Sequence, residues 1–421
     1  FVRRERKRAR ITVIAGILSL VAAYLFDARY ELKSDLYPAN VCYNIALAFQ
    51  RTAQTQHYAE TSNDFTFQAK TTRPEKNREV YVMVIGETSR AANWSIYGYN
   101  RNTNPELTKI KGLTAFSHVL TESNTTHKSV PMLMSSVTAH DFNSIYRQKG
   151  IITAFKEAGY RTAFFSNQRY NHSFIDFFGK EADICDFIKE DTGDGGYNPS
   201  DDELLKLVAT ELAENASKQF IVLHTYGSHF NYRERYPADH AFFLPDFPVD
   251  AELKYKDNLI NAYDNSIRYT DNFLARLIRM LQEQDIDAAM LYTSDHGEDI
   301  FDDDRHLFLH ASPVPSYYQI HVPFLIWMSD NYRKNYPDLF KNAEINRQKN
   351  ISSSASFFQT MLELGGIDTP SRNDSLSVIN ASYTEKNRVY LNDHNEARSL
   401  NDIGMREEDF TMLQMKGIVY R

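Results

Sequence analysis

Carboxylates, imidazoles and hydroxyls recur in this sequence directly behind runs of apolar residues. Glu87 and Thr88 follow EVYVMVIG (79–86), His224-Thr225-Tyr226-Gly227-Ser228-His229 closes QFIVLHTY (219–226), and Ser294-Asp295-His296-Gly297-Glu298 closes AAMLYTS (288–294). Glu87, Asp295 and His296 are oxygen and imidazole donors, a mixture that suits Zn2+ better than Mg2+ or Ca2+. Three such ligands leave a position open for a nucleophile or a phosphate oxygen. Each signal alone has a plainer reading. An Asp-His pair at a strand end is often a satisfied polar turn, and a Glu after a strand often a charge favoured by a helix dipole. Their joint occurrence at successive strand ends points to a metal site.

A second cluster, TESNTTHKSVPMLMSSVT (121–138), places hydroxyls just before a helical pattern. A hydroxyl there faces unpaired backbone N–H groups and the positive end of the helix dipole, which favour an alkoxide and an incoming phosphate. Metal coordination lowers a hydroxyl pKa further and yields a nucleophile at neutral pH. The plain reading of Ser123, Thr125 and Thr126 is N-capping, and the physics does not choose among the three.

The elements that must carry these groups read as an α/β domain. The three runs above, with RTAFFS (161–166) and HVPFLIWM (321–328), are short and continuously apolar, as expected of strands covered on both faces. Between them lie helical patterns at Ser200–Ala216, opened by a Ser200/Glu203 capping box, and at about Leu259–Gln284. Strand–helix alternation implies a mostly parallel sheet sandwiched by helices, with ligands beyond the carboxyl ends of its strands.

The amino terminus has a different character. Residues 1–10 hold six Lys or Arg and one Glu, and residues 11–26 (ITVIAGILSLVAAYLF) form a sixteen-residue uncharged apolar run. That is shorter than the ~20 residues that span a bilayer comfortably, with Tyr24 and the basic flank able to extend it. A signal peptide shares this pattern, but Asp27-Ala28-Arg29-Tyr30 is a poor cleavage site, so a transmembrane helix is expected. Positive flanks stay inside, so the rest should lie outside. We therefore expect residues 1–27 to be a cytoplasmic flank and transmembrane helix, 28–78 a juxtamembrane helix (Tyr37–Gln56) and linker, and 79–421 the catalytic domain. With 47 basic against 55 acidic residues, a broad nucleic-acid footprint is not expected. The two cysteines, Cys42 and Cys185, match no metal-knuckle or disulfide framework.

GETSRAANWSIYGYNRNTNPEL (86–107), Thr126-x-x-Ser129-Val130-Pro131, LHTYGSH (223–229), SDHGED (294–299), LFLHASP (307–313) and HVPF (321–324) resemble the phosphoethanolamine transferases of the alkaline phosphatase and sulfatase superfamily, over roughly residues 11–370. The resemblance implies that Glu87, Asp295 and His296 bind zinc together with Thr126, the nucleophile, and that Thr88 is not the nucleophile. It implies that His229 and His310 contact the transferred group, with His224 a lesser candidate. It also implies a bacterial inner-membrane enzyme, the last helix of whose membrane domain is residues 11–26, with its catalytic part in the periplasm. Such an enzyme moves phosphoethanolamine from phosphatidylethanolamine to a glycolipid or glycan such as lipid A or a core sugar. The chain departs from the family pattern at Glu122 and Met132, where cysteines are usual. It departs again in SNQRYNHSFIDFF (166–178), which has no cysteine and no Lys, so that Asn167 is expected to take part of that role. The acidic run Asp302–Asp304 reads as a solvated loop. Rival readings are a phosphoglycerol transferase or phosphate-ester hydrolase of the same superfamily, and a non-catalytic membrane-anchored binding domain.

Overall fold

The computed structural model describes residues 2–26, 37–74, 78–189 and 198–420, and two compact units are seen, Phe1–Asn63 and Asp64–Arg421. Residue 27 of the expected membrane segment and residues 28–36 and 75–77 of the expected juxtamembrane segment and linker lie outside the described residues.

The first unit holds helix α1 (Val2–Phe26) and helix α2 (Ala39–Gln56). Helix α1 contains the apolar run, but it also contains most of the basic flank. No helix among the described residues is long and apolar enough to cross a membrane. The apolar run 11–26, expected to be a transmembrane helix, lies on this helix. Ile11, Val13, Ile14, Ile17, Leu18, Leu20 and Val21 are all exposed along it.

The second unit is built on a seven-stranded sheet. Its strands are β1 (Glu79–Gly86), β2 (Leu113–Phe116), β3 (Arg161–Ser166), β4 (Ile184–Phe187), β5 (Lys218–His224), β6 (Asp287–Ser294) and β7 (Phe324–Met328), in the spatial order β2-β7-β6-β1-β5-β3-β4. The five strands from β6 to β4 are parallel, and β7 runs antiparallel to both β6 and β2. Every residue of β1, β5 and β6 is buried, which explains why these strands read as unbroken apolar runs. β2 and β4 did not stand out in the sequence. Each has four residues, and β2 alternates half-buried with buried positions while β4 is half-exposed with Asp186 exposed.

Successive side chains on a strand point to opposite faces. Val80, Val82 and Val84 of β1 enter one core with helices α4 (Asp202–Ala213) and α5 (Lys256–Gln282). On the other face Tyr81 packs against Tyr160 and Tyr332, and Phe155 stacks on Phe220 of β5 at 3.8 Å. Helices α3 (Thr126–Leu133) and α6 (Ser353–Leu364) contact each other. The capping box expected at Ser200/Glu203 does not form. Ser200 Oγ is spent on Tyr269 Oη (2.6 Å) and on the amide of Asp202 (3.2 Å). Cys42 and Cys185 are both free thiols.

Candidate active site

The carboxyl ends of β1, β5 and β6 lie side by side, with Gly86 paired to Ser294 and Ile85 to His224. The residues that follow are thereby brought onto one edge. Glu87, Asp295 and His296 are buried, and each offers a ligand atom within 4.8 Å of the others. His296 Nε2 lies 3.2 Å from Asp295 Oδ2 and 3.7 Å from Glu87 Oε1. The N–H of His296 Nδ1 donates to the carbonyl of Gly297 (3.0 Å), which leaves the Nε2 lone pair turned to the carboxylates.

Thr126 is the first residue of α3 and Thr125 its N-cap. The Thr126 Oγ1 lies 3.1 Å from Glu87 Oε1 and 3.1 Å from His296 Nε2. Of the three candidate hydroxyls only this one meets the cluster, since Ser123 Oγ and Thr125 Oγ1 are bonded to each other (3.2 Å). Thr88 takes a left-handed conformation (φ 58°). Its hydroxyl donates to Glu87 Oε1 (2.7 Å) and its amide to Asp295 Oδ1 (3.0 Å), so it positions both acids. Gly227 must be a glycine here, because a Cβ would lie 2.6 Å from the carbonyl oxygen of Glu87.

These donors fit a divalent cation. Asp295 Oδ2 is buried with no hydrogen-bond partner, and a buried acceptor left this way is costly unless a ligand completes it. Burial, and then the charge of Asp295, hold the Glu87 carboxyl well above the usual range; burial raises Asp295 and lowers His296. Two acids and an imidazole that resist ionisation together are relieved by a positive charge between them.

Beside Thr126 lies a cavity of about 330 Å3 lined by Gln168, Arg169, Lys189, His224, Tyr226 and His229 among others. The N–H of His229 Nδ1 donates to the carbonyl of Phe230 (2.6 Å), and its ring stacks on Tyr226 at 5.1 Å. Burial lowers the His229 pKa to about 4. The ring of His310 lies 4.2 Å from that of His296, and its Nδ1 lies 3.5 Å from Glu298 Oε2. Burial pulls the His310 pKa down, but Glu298 outweighs it and the net shift is upward. His224 is a fully buried strand-end residue 3.3 Å from Ser166 Oγ, lowered by burial to about 3.

Three groups here escaped the sequence reading. Glu298 is buried with both carboxylate oxygens lacking a hydrogen bond; its place two residues after His296 in SDHGED was the available signal. Gln168 donates to Glu87 Oε2 (3.3 Å) and to the carbonyl of Thr225 (3.1 Å). Lys189 stands 3.3 Å over the ring of Tyr226, its pKa brought to about 8 by burial and then by Arg235. The expectation for Asn167 is corrected. Its amide is spent on the carbonyl of Pro199 (3.0 Å) and on Asp201 Oδ1 (2.8 Å), and the cavity is lined by the next residue. The segment 166–178 has no Lys, and the lysine that lines the cavity is Lys189, two residues past the end of β4. The acidic run 302–304 is no simple solvated loop either, since Asp302 Oδ2 meets the buried guanidinium of Arg90 at 2.6 Å.

The α/β domain that carries this acid–imidazole cluster and helix-borne hydroxyl is similar to the sulfatase family. Residues 79–367 match that family's model, and the chain belongs to it. Among its relatives, the Kdo(2)-lipid A phosphoethanolamine 7''-transferase of Escherichia coli strain K12 is 31% identical over 293 residues, 68% of this chain and 50% of that protein. The phosphoethanolamine transferase EptC of E. coli O18:K1:H7 is 26% identical over 318 residues, 73% of this chain and 54% of its own. The chain spans about half the length of the curated relatives it matches. The crystal structure of the C-terminal periplasmic domain of E. coli EptC superposes with a TM-score of 0.69 at 25% identity, covering 76% of this chain and 91% of that one. A complex of that domain with Zn gives 0.72 at 23% identity, covering 81% and 97%.

Proposed function

We propose that this chain carries a zinc-dependent phosphoethanolamine transferase whose nucleophile is Thr126, with phosphatidylethanolamine as donor and a glycolipid, lipid A or a core sugar of lipopolysaccharide, as acceptor. The observation that carries the reading is the placement of Thr126 Oγ1 3.1 Å from both Glu87 and His296 at the start of α3. The names of the relatives support the transferred group and the acceptor class.

Glu87, Asp295, His296 and Thr126 are the residues that would hold the metal, and the zinc complex of the related domain favours zinc. When bound, zinc supplies a charge that lowers the Thr126 hydroxyl pKa and offsets charge on the phosphoryl oxygens. The Thr126 oxygen attacks phosphorus, and the bond from phosphorus to the diacylglycerol oxygen breaks. His310, held beside Glu298, delivers a proton to that departing oxygen. The threonine–phosphoethanolamine bond is then broken by an acceptor hydroxyl, whose proton goes to the free Nε2 of His229. Arg169 and Lys189 at the cavity are placed to hold the phosphate by charge.

Residues 1–27 would tether this chemistry to the bacterial inner membrane, 28–78 would link, and 79–421 would act in the periplasm. The bare apolar side chains of α1 and the basic residues before them support that arrangement. The test is transfer of a labelled headgroup from phosphatidylethanolamine to purified lipid A, with mass spectrometry of the Thr126 peptide. Thr126→Ala should remove both product and adduct. An unchanged rate in that variant rejects the nucleophile, and absence of any divalent metal from the active protein rejects the metal site.

A further inference from the structure

A second cavity, of about 480 Å3, shares no lining residue with the catalytic one. Its walls include Glu122, Thr138, Ala355, Leu376, Tyr383 and Val389. Its size falls in the range of small-molecule sites. Glu122, which stands where the family pattern has a cysteine, is only 4% exposed and takes no part in the chemistry above.

The Glu122 carboxyl accepts a hydrogen bond from Ser354 Oγ and makes no ion pair among the described residues. Arg388 lies near enough to act on its charge, but that guanidinium is spent on the carbonyls of Val419, Ile351 and His118 and on Asn350 Oδ1. Among the other titratable groups, Asp141 is occupied by Thr138 and Ser144, and Glu385 by the amide and side chain of Asn350. His140 and Lys386 are exposed at the cavity. A carboxylate deep in a cavity, walled by Ala355, Leu376, Tyr383 and Val389, calls for a ligand with a charged head and an apolar body.

We propose that this cavity is a binding site for an organic ammonium ion carrying a short apolar body, its head against the Glu122 carboxylate. The site goes beyond the transferase reading and does not depend on it. It has a route to the nucleophile, because Glu122 lies on the stretch that leads into α3. The carbonyl of Glu122 accepts from the amide of Leu391 (2.7 Å), and Thr121 Oγ1 donates to the carbonyl of Asp295 (2.8 Å). Burial holds the Glu122 pKa up to about 7. The ammonium binds the ionised form, so its affinity should fall by about tenfold per pH unit below 7.

The test is calorimetric titration of the full chain with n-hexylammonium, and with n-hexanol as its neutral counterpart. One hexylammonium should bind per chain, at least about tenfold tighter than hexanol, and Thr126→Ala should leave that binding unchanged. Glu122→Gln keeps the side-chain shape and should weaken binding by about tenfold or more. Ala355→Phe, which fills the cavity from α6, should abolish it, and decides the matter should Glu122→Gln fail to fold. No heat of binding at ~10 mM hexylammonium overturns the proposal, as does equal affinity in the wild type and the folded variants.

Discussion

The guanidinium of Arg90 ties the stretch after β1 to the loop after β6. Its Nε donates to Asn93 Oδ1 (2.6 Å), and its Nη1 to the carbonyl of Glu298 (2.9 Å) and to Asp302 Oδ2 (2.6 Å). The two charged side chains are 3% and 10% exposed. Arg90→Met keeps much of the volume but leaves the Asp302 carboxylate buried with the amide of Ile300 (2.7 Å) as its donor. Breaking a buried pair from one side costs about 3–5 kcal/mol. At about 2.1 cal/mol/K per residue, a unit of roughly 360 residues has an unfolding entropy near 750 cal/mol/K, so Tm should fall by about 4–7 °C. Asp302→Asn alone should also destabilise. The double variant should lose less than the sum, with a coupling of about 2–3 kcal/mol. Calorimetric melts of the four proteins measure this. A parallel zinc titration should show about 10–100-fold weaker binding in Arg90→Met, because the carbonyl that Arg90 anchors lies two residues from His296. Strictly additive losses in the double variant, with zinc affinity unchanged, would refute the clamp.

Gln168→Ala removes a donor to Glu87 and a wall of the cavity, and should lower the transfer rate by about 10–100-fold without moving Tm; steady-state kinetics and a melt check both halves. His321 is buried, accepting from Tyr317 Oη (2.8 Å) and donating to the carbonyl of Ser117 (2.9 Å), and burial lowers its pKa from 6.5 to about 3. The unfolded chain therefore takes up this proton first, so the residue's contribution is complete above pH 6.5 and drains away as pH falls toward 3. At pH 5 it should have lost about 2 kcal/mol, and denaturant melts of His321→Gln should show a correspondingly flatter acid limb. Phe242, Leu244 and Phe247 are 60%, 65% and 71% exposed on a loop bonded to the first half of α5 through Asn261 and Asn265. That half of α5 lies at the carboxyl edge of the sheet, since the chain leaves β5 there and returns to the start of β6. Phe247→Ser should slow transfer from vesicle-borne donor several-fold while sparing a soluble short-chain donor, as vesicle and micelle-free assays would show.

What was legible in the sequence follows from burial. β1, β5 and β6 are covered on both faces, so their ends could be located and the groups beyond them read as one site. β2 and β4 are short and partly exposed, so the residues they deliver, Lys189 above all, had no strand end to be read from. Asp302–Asp304 shows why composition fails locally. Its first member pairs with a buried Arg 212 residues away, and its last with Arg406 at the surface. Nothing in a run of three acids distinguishes them. Ser123, Thr125 and Thr126 were equivalent as N-terminal hydroxyls; the family resemblance pointed to Thr126, and the contact of its hydroxyl with Glu87 and His296 is the physical difference among the three. Glu298 was in view as a letter of SDHGED, but its significance is that it is buried beside His310 (3.5 Å), a fact no spacing carries.

The stretch 86–107, the most distinctive in the sequence, supplies only one group to the chemistry, Glu87. The rest of it is a buried polar lattice. The amide of Ser89 donates to Ser294 Oγ and its own hydroxyl accepts from Trp94 Nε1, each at 2.8 Å. Asn93 and Tyr99 both donate to Asp264 on α5 (2.7 and 2.9 Å), and Arg101 pairs with the same carboxylate at 2.7 Å. Tyr263, one residue earlier, donates to the carbonyl of Thr88 (2.7 Å). Each of the buried contacts just named satisfies one polar group with another, so a change at one strands its partner at a cost of about 1–3 kcal/mol. A lattice of that kind permits few substitutions and reads as a signature. Its physical work is to hold Glu87 and Asp295 together against their own repulsion, with α5 as the fixed support, until a cation makes the cluster favourable.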